Sequence, residues 1–407
     1  MAIDFEVPAE AKAIREKTRR FVQEYCIPAE KDLGKRPLMD IVWDLRPKAK
    51  EQGLWCPFIP VEHGGMGLGP LANALVQIEL GESPLGALAL NTQGPDDATM
   101  LTLLVHGTDF QKEKYLKPLL AGEKRFCYSM TEKAAGADAT GMQTAAVRDG
   151  DNWVINGEKW FSSAASVADI ALVMAKTDPD APRHQQFSTF LVELPNPGYN
   201  IVRNIAVMGH EARHDEFGGH SEVIIKDLIV PAANLLGGQG QGFNMGQHRL
   251  GYGRLRHGMH NVGMAQRALD MAAKRVTERS TFGKPLSERQ GVQWMLADCA
   301  SELYIARLML LHIAYKMEKG LDMRQENSIA KVYLAHMVHK VVDTAIQLHG
   351  ALGYSHDTPL ASWYTSIRSQ RLVDGPDEVH RWTVGRNVIK AYEQFGTTAS
   401  ACGGDLI

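Results

Sequence analysis

Arg371-Leu-Val-Asp-Gly-Pro-Asp-Glu-Val-His380 gathers three acids, Asp374, Asp377 and Glu378, around a Gly-Pro step between two apolar helical patterns. Proline disfavours helix at the residue before it, and glycine enters backbone regions closed to other residues. A helix running over 363–371 is therefore predicted to break near Asp374, and a new one to start near Asp377. A carboxylate at such a break, enclosed by long apolar helices, is a candidate buried base. The plainer alternative is punctuation, with Asp377 as an N-cap and Asp374 as a turn residue. The stretch taken alone leaves both readings open.

Working outward, apolar residues recur at helical spacing from Met245 onward. Val262, Ala265, Leu269, Ala272 and Val276 share one face; Met295, Cys299, Leu303, Ala306 and Leu310 share another; Val332, Val338, Val342 and Ala345 a third. Three long amphipathic helices with short polar links, and a fourth from Asp377 past Tyr392, make an antiparallel four-helix bundle over 239–396. Residues 397–407 read as a loose tail. Residues 1–122 are also helical, with patterns at 11–25, 71–82 and 98–106. The glycine-rich segment 61–70 lacks the Gly-Lys-Ser/Thr ending of a phosphate loop and reads as a connector. Between the helical parts, 123–238 carries short alternating strands at 145–148, 153–155, 170–175, 187–194, 201–207 and 222–230. The first two flank Asp149-Gly-Asp-Asn152, a hairpin signal. The expected class is α+β: an N-terminal helical domain, a middle β-barrel or sandwich, and a C-terminal bundle.

Composition narrows the function. A formal charge of −3 over 407 residues gives no basic surplus for nucleic acid and no charged tail. No apolar run reaches the roughly 18 residues of a membrane span, and the acidic N-terminus has no signal-peptide core. Five scattered cysteines without a Cys-x-x-Cys fit a reducing, cytoplasmic compartment.

His210-Glu-Ala-Arg-His214, with His220 beyond, matches a zinc-hydrolase motif. That chemistry needs a helix to bring both imidazoles to one face, and its longer form wants a glycine where Phe217 stands. Gly209, Asp215, Gly218 and Gly219 argue for a polar loop instead, and no metal is expected. Phe126-Cys-Tyr-Ser-Met-Thr-Glu-Lys-Ala-Ala-Gly-Ala-Asp138 and Gly157-Glu-Lys-Trp-Phe-Ser-Ser163 carry a different signal. Together they offer backbone N–H groups, the hydroxyls of Thr131 and Ser162 and the Trp160 indole, a set suited to a flat heteroaromatic cofactor. Each block alone reads equally as sheet core. Arg279-Ser-Thr-Phe-Gly-Lys-Pro-Leu286 reads as a helix C-cap at Gly283, or as a phosphate site built on Arg279. Gln347-Leu-His-Gly-Ala-Leu-Gly353 ends the next helix in the same way.

These blocks, followed by the Asp374 stretch, resemble the acyl-CoA dehydrogenase family over nearly the whole chain. The resemblance implies FAD, a homotetramer or homodimer, and α,β-dehydrogenation of an acyl-CoA thioester to the trans-2-enoyl-CoA in fatty acid β-oxidation, with an electron-transfer flavoprotein as acceptor. It implies that Tyr128, Met130 and Thr131 line the flavin with Gly136 and Ala137 close by, that Thr131 bonds its pyrimidine edge, and that Trp160 and Ser162 cover the opposite side. Arg279, Thr281 and, from a neighbouring subunit, Gln290, Gln347 and Gly350 would hold the pyrophosphate and adenosine, with Glu378 also at the cofactor. Arg254 and Gly375 fall beside the substrate, and Asp374 on the catalytic base. The family base is normally Glu, so Asp374 is shorter by about 1.5 Å of reach. Gly253 stands where some members carry a rival base, and Ala137 replaces a pocket serine. The Asp-Gly-Pro-Asp-Glu-Val-His run is most similar to a branch that includes modules fused to kinase-like domains and is linked to hydroxyacyl-CoA breakdown; the chain is too short to contain the kinase. An aspartate base also suits nitroalkane-oxidising relatives, so a flavin oxidase or monooxygenase is the alternative enzyme. A non-enzymatic acyl-CoA-binding protein is the alternative outside catalysis.

Overall fold

The computed structural model of the chain describes residues 6–209 and 219–404. The main helices are α1 (Ala9–Phe21), α2 (Leu38–Glu51), α3 (Pro70–Leu80), α4 (Asp96–His106), α5 (Gly242–Glu278), α6 (Gln290–Glu318), α7 (Arg324–His349), α8 (Leu360–Ile367) and α9 (Asp377–Phe395). Eight strands lie between α4 and α5: β1 (Phe126–Ser129), β2 (Ala145–Asp149), β3 (Asn152–Ser163), β4 (Ile170–Lys176), β5 (Phe187–Glu193), β6 (Tyr199–Asn204), β7 (His220–Pro231) and β8 (Leu235–Leu236). The order is helices, sheet, helices, as expected. By contacts the described residues form two compact units, one drawn from Met1–Lys31, Leu68–Ala87 and Arg254–Ile407, the other from Asp32–Gly67 and Leu88–Gly253.

In the first unit the apolar stripes legible in the sequence close on one another. Val262 and Ala265 of α5, Ala306 and Leu310 of α6 and Val338 and Val342 of α7 are all within 1% of full burial. They share one core with Trp363 and Ile367 of α8. Alanines such as Ala265, Ala268, Ala306 and Ala314 lie among the larger side chains of this core, so the helices can pack closely with their side chains interdigitated. Between α5 and α6 the structure corrects the C-cap reading. Ser280 and Thr281 pair antiparallel with Pro285 and Lys284. Phe282 (φ 49°) and Gly283 (φ 76°) form the two-residue loop of this small hairpin. Two consecutive positive φ values are the signature of the turn that matches strand twist. Gly350 does end α7 as a plain C-cap, its N–H bonding the carbonyls of Ile346 and Gln347. The tail is less loose than expected: Ala399–Cys402 coils into a short 3-10 turn, and the Ala401 carbonyl accepts from Gln325 Nε2 at 2.9 Å.

In the second unit the sheet runs β6-β7-β3-β1-β4-β5-β8, with β2 pairing both β3 and β4. The alternating residues do what the pattern predicted, since Trp153, Ile155, Phe190, Val192, Val223 and Ile225 all face one core. β6 runs two residues ahead of its predicted span because β7 fixes its register, Tyr199 opposite Ile225. The β3–β7 ladder slips between Lys159 and Ser162. The one extra residue on β3 bends the strand and re-aims its side chains: Phe161 takes φ 56° and is 41% exposed.

His210 and His214 of the zinc-like motif lie outside the described residues. His220 opens β7 with Nδ1 2.8 Å from Ser163 Oγ. Among the described residues no three His, Cys, Asp or Glu side chains are grouped to hold a metal, and no helix is long and apolar enough to cross a membrane. All five cysteines are free, four of them buried.

Candidate active site

The break between α8 and α9 is built by backbone geometry. After α8 a 3-10 turn covers Arg368–Arg371, and α9 starts at Asp377 behind Pro376. Asp374 takes φ 54° and Gly375 φ 98°. A left-handed non-glycine residue costs roughly 1–2 kcal/mol, and two bonds on its carbonyl oppose that cost. Arg254 Nε donates to the Asp374 oxygen at 2.7 Å, and His380 Nε2 stands 3.3 Å from the same atom. A Cβ on residue 375 would fall 2.8 Å from His380 Nε2, so both conformation and space call for glycine.

Asp377 is not the N-cap that punctuation alone would make it. Pro376 holds that position, with no side-chain cap bond. The Asp377 carboxylate is instead fully buried and ion-paired, accepting from Arg371 Nε at 2.8 Å and facing His336 Nε2 at 2.9 Å and Lys331 Nζ at 3.9 Å. Burial pushes its pKa up, but Arg371 and His336 outweigh that and hold it below the usual range. Asp374, three residues earlier, has its carboxylate on a pocket lined by Arg254, His257 and Asn261 of α5, Lys331 and Leu334 of α7, and Gln370. Its side chain is 22% exposed, and Oδ2 lies 3.6 Å from His257 Nε2. Asp374 is the one carboxylate among the residues that line this pocket.

The rest of the lining is neutral or cationic. Burial, with Arg256 adding to it, pushes the His257 pKa down to about 4, against the pull of Asp374. Outside the lining, at the Asp374 carbonyl, burial and Arg254 bring His380 to about 4 as well. Lys331 Nζ makes no hydrogen bond among the described residues, and burial lowers its pKa while Asp377 and Asp374 raise it.

In the second unit the two motif blocks lie side by side. Trp160 N–H donates to the Thr131 carbonyl at 2.8 Å. The buried Lys159 amine donates to the Met130 carbonyl and to Glu132 Oε1, both at 2.9 Å. Glu132 also accepts from the backbone N–H of Gln143 (2.6 Å) and Thr144 (2.9 Å). The ends of β1 and β3 are thus locked at Met130–Thr131 and Trp160. Tyr128 lies under the Arg249 guanidinium, 4.1 Å from ring centre, and Arg249 Nη2 donates to the Pro95 carbonyl. The Trp160 indole has Lys133 at 5.0 Å and Arg203 at 5.5 Å from its centre. The Ser162 hydroxyl is turned inward onto Ser129 Oγ at 2.9 Å. Gly136 and Ala137 lie on an exposed loop, with nothing within 4 Å of a Cβ on Gly136. A rigid strand end carrying backbone polar groups, beside the open aromatic side chains of the β3 bulge, fits a flat conjugated ring.

The remaining candidates stand at exposed termini. Arg279 ends the turn after α5; Thr281 is in the hairpin, its carbonyl accepting from Arg289 Nη2 at 2.7 Å, next to Gln290 at the start of α6. Gln347 and Gly350 are exposed at the end of α7, and Glu378 is exposed in the first turn of α9. Sequence reasoning missed His257, Lys331, His380, Arg249 and Phe161. A signal existed for one of them: Arg254, His257 and Asn261 recur at three and four residues along α5, which places them on one face.

Family models match the chain in three consecutive parts: the acyl-CoA dehydrogenase N-terminal domain over 8–123, the middle domain over 127–227 and the C-terminal domain over 240–389. The chain belongs to the acyl-CoA dehydrogenase family. It is 38% identical over 400 residues to the probable acyl-CoA dehydrogenase FadE2 of Mycobacterium tuberculosis, covering 94% of this chain and 96% of that one. It is 38% identical over 390 residues to acyl-CoA dehydrogenase family member 11 of Gallus gallus, covering 91% of this chain but only 49% of that protein. The chain therefore spans about half the length of this second relative. Butyryl-CoA dehydrogenase from Megasphaera elsdenii superposes with a TM-score of 0.83 at 27% identity, over 95% of this chain and all of that one. The chain is accordingly an oxidoreductase of a flavoprotein family.

Proposed function

We propose that this enzyme dehydrogenates an acyl-CoA thioester between Cα and Cβ to the trans-2-enoyl-CoA, with FAD as its cofactor and Asp374 as the base. The observation that carries the assignment is the single carboxylate of Asp374 on a partly enclosed pocket otherwise lined by neutral and cationic groups. Asp377, the alternative acid in the same stretch, is consumed by Arg371 and His336. Asp374 accepts the α-proton at a carboxylate oxygen as the C–H bond breaks. Charge then develops on the thioester oxygen, where backbone N–H groups such as that of Asp374 can stabilise it. FAD, when bound, supplies the acceptor for the hydride that leaves Cβ, so the substrate loses one proton and one hydride and gains a double bond. Tyr128, Met130, Thr131, Gly136, Ala137 and Trp160 would hold the ring, with Ser162 contributing through its backbone because its hydroxyl is bonded to Ser129; Arg279, Thr281 and, from a neighbouring subunit, Gln290, Gln347 and Gly350 would hold the pyrophosphate and adenosine, with Glu378 also at the cofactor. Arg254 and Gly375 would shape the substrate side.

The reading extends to three domains bounded at 122, 238 and 396, and to the branch marked by the Asp-Gly-Pro-Asp-Glu motif. It includes an electron-transfer flavoprotein as acceptor and a homotetramer or homodimer. Supporting the oligomer, Phe282 is 98% exposed at the hairpin tip, and Trp382, Ile389, Tyr392 and Phe395 of α9 are each about 60% exposed. Apolar side chains in that number suit burial by a second copy. Free cysteines agree with a reducing cytoplasm. Asp374→Asn tests the core of the proposal. Purified as a yellow holoenzyme, it should keep its flavin yet fail to bleach anaerobically with any of a panel of acyl-CoAs. Bleaching at the parental rate would remove Asp374 as the base.

A further inference from the structure

The backbone of Asp374 is pinned through its carbonyl by Arg254 and approached there by His380, but its carboxylate is not held. No side chain hydrogen-bonds that carboxylate among the described residues, and the group that reaches it is Nε2 of His257, at 3.6 Å across the same pocket. An aspartate is short, so its working oxygen must be aimed by something other than length. His257 lies one turn of α5 beyond Arg254, on the same face. The two residues therefore meet Asp374 from one rigid element, one at the backbone and one at the side chain.

We infer that His257 is a positioning residue for the base: its Nε2–H donates to Oδ2 of Asp374 once substrate is bound, leaving Oδ1 aimed at the α-carbon. The inference rests on Asp374 being the base. A separation of 3.6 Å is long for a hydrogen bond, and catalytic bonds are commonly long before the substrate complex tightens them. Neutral imidazole is the useful form. It can donate to the carboxylate before proton transfer and to the same oxygen of the carboxylic acid afterwards, whereas an imidazolium would hold Asp374 as an ion pair and weaken it as a base. The low pKa of His257 is consistent with that form at neutral pH.

The test compares His257→Phe and His257→Gln in the full-length holoenzyme, with Asp374→Asn as control. Flavin content and melting temperature report folding. Anaerobic flavin bleaching reports the whole reaction, and exchange of the acyl-CoA α-proton in D2O, followed by NMR, reports proton transfer alone. The phenylalanine variant should slow exchange and bleaching together by roughly 10–100-fold, the scale of a misaligned reacting group, with acyl-CoA affinity changed little. Glutamine, which keeps an N–H donor, should recover most of the exchange rate. Exchange at the parental rate in the phenylalanine variant, or equal losses with glutamine and phenylalanine, would overturn the inference. If phenylalanine costs the protein its flavin, His257→Leu takes its place and the glutamine-to-leucine ratio is read in the same way. A dead Asp374→Asn beside a normal His257→Phe sinks only this inference; an active Asp374→Asn sinks the base assignment itself.

Discussion

Asp374 and Asp377 are three residues apart and chemically alike, yet their surroundings give them opposite duties. Asp377 is sealed among Arg371, His336 and Lys331 and ties α9 to α7 and to the turn before it. Removing its charge takes the counter-ion from the buried Lys331 amine and from the partly exposed Arg371, so Asp377→Asn should destabilise the protein by about 3 kcal/mol, read as a lower urea midpoint at unchanged slope. Asp374 is left with an open carboxylate, and its strained backbone is held from both sides. Gly375→Ala forces a left-handed alanine against the His380 ring, 2.8 Å from Nε2. It should cost about 1–3 kcal/mol and slow flavin bleaching, because the ring that moves is one of the two groups at the Asp374 carbonyl. Loss of stability without loss of rate would mean that the His380 contact does not set the position of Asp374. The Gly-Pro step itself was readable from the sequence. The identity of the buried acid was not, since Asp374, Asp377 and Glu378 differ only in what the helices bring to them.

Among the elements, β1 and β3 show how a site wall is braced from behind. Lys159 is fully buried, and its amine bonds both Glu132 and the carbonyl of Met130. Burial lowers the Lys159 pKa to about 8, with Glu132 only partly opposing it. Lys159→Met removes one partner of a buried pair and should cost about 3–5 kcal/mol. It should also release the Met130–Thr131 segment, so flavin should wash out on dialysis faster than from the parent; retained flavin at full occupancy would contradict that brace. The helices were legible because 3.6-residue periodicity continues for many turns in α5, α6 and α7, and the strands because Trp153 and Ile155, or Phe190 and Val192, alternate. The hairpin after α5 was not. Phe282 is no usual turn residue, and only the pairing of Thr281 with Lys284 makes its positive φ intelligible. The Lys159–Glu132 pair was hidden for a similar reason, since the partners are 27 residues apart and sheet register alone joins them.

For the whole molecule, histidines that the fold keeps neutral predict acid lability. An unfolded imidazole takes its proton near pH 6.5, while His257 and His380 in the fold are pushed down to about 4. Between those values the unfolded chain binds more protons, so stability is full above about pH 6.5 and falls as pH drops toward 4. The slope is about 1.4 kcal/mol per pH unit for the buried His380 and smaller for the part-exposed His257, and these two contribute nothing further once both states are protonated. Melting temperatures measured from pH 7.5 to 4.5 should fall through that window, and His380→Gln should flatten part of the fall. A curve that does not flatten would assign the acid lability elsewhere. Read by itself, the sequence determined the helix–sheet–helix order, the family resemblance and the break at Gly375-Pro376, because periodicity, alternation and proline geometry act over a few neighbouring residues. Only the tertiary structure decided that Asp377 is an ion-paired anchor, that Arg254 and His380 meet at the Asp374 carbonyl, and that His257 faces its carboxylate. The contacts of His336 with Asp377 and of Arg254 with Asp374 join α5, α7 and the start of α9 across 41 and 120 residues of chain, and burial and charge at such a junction depend on how the helices pack.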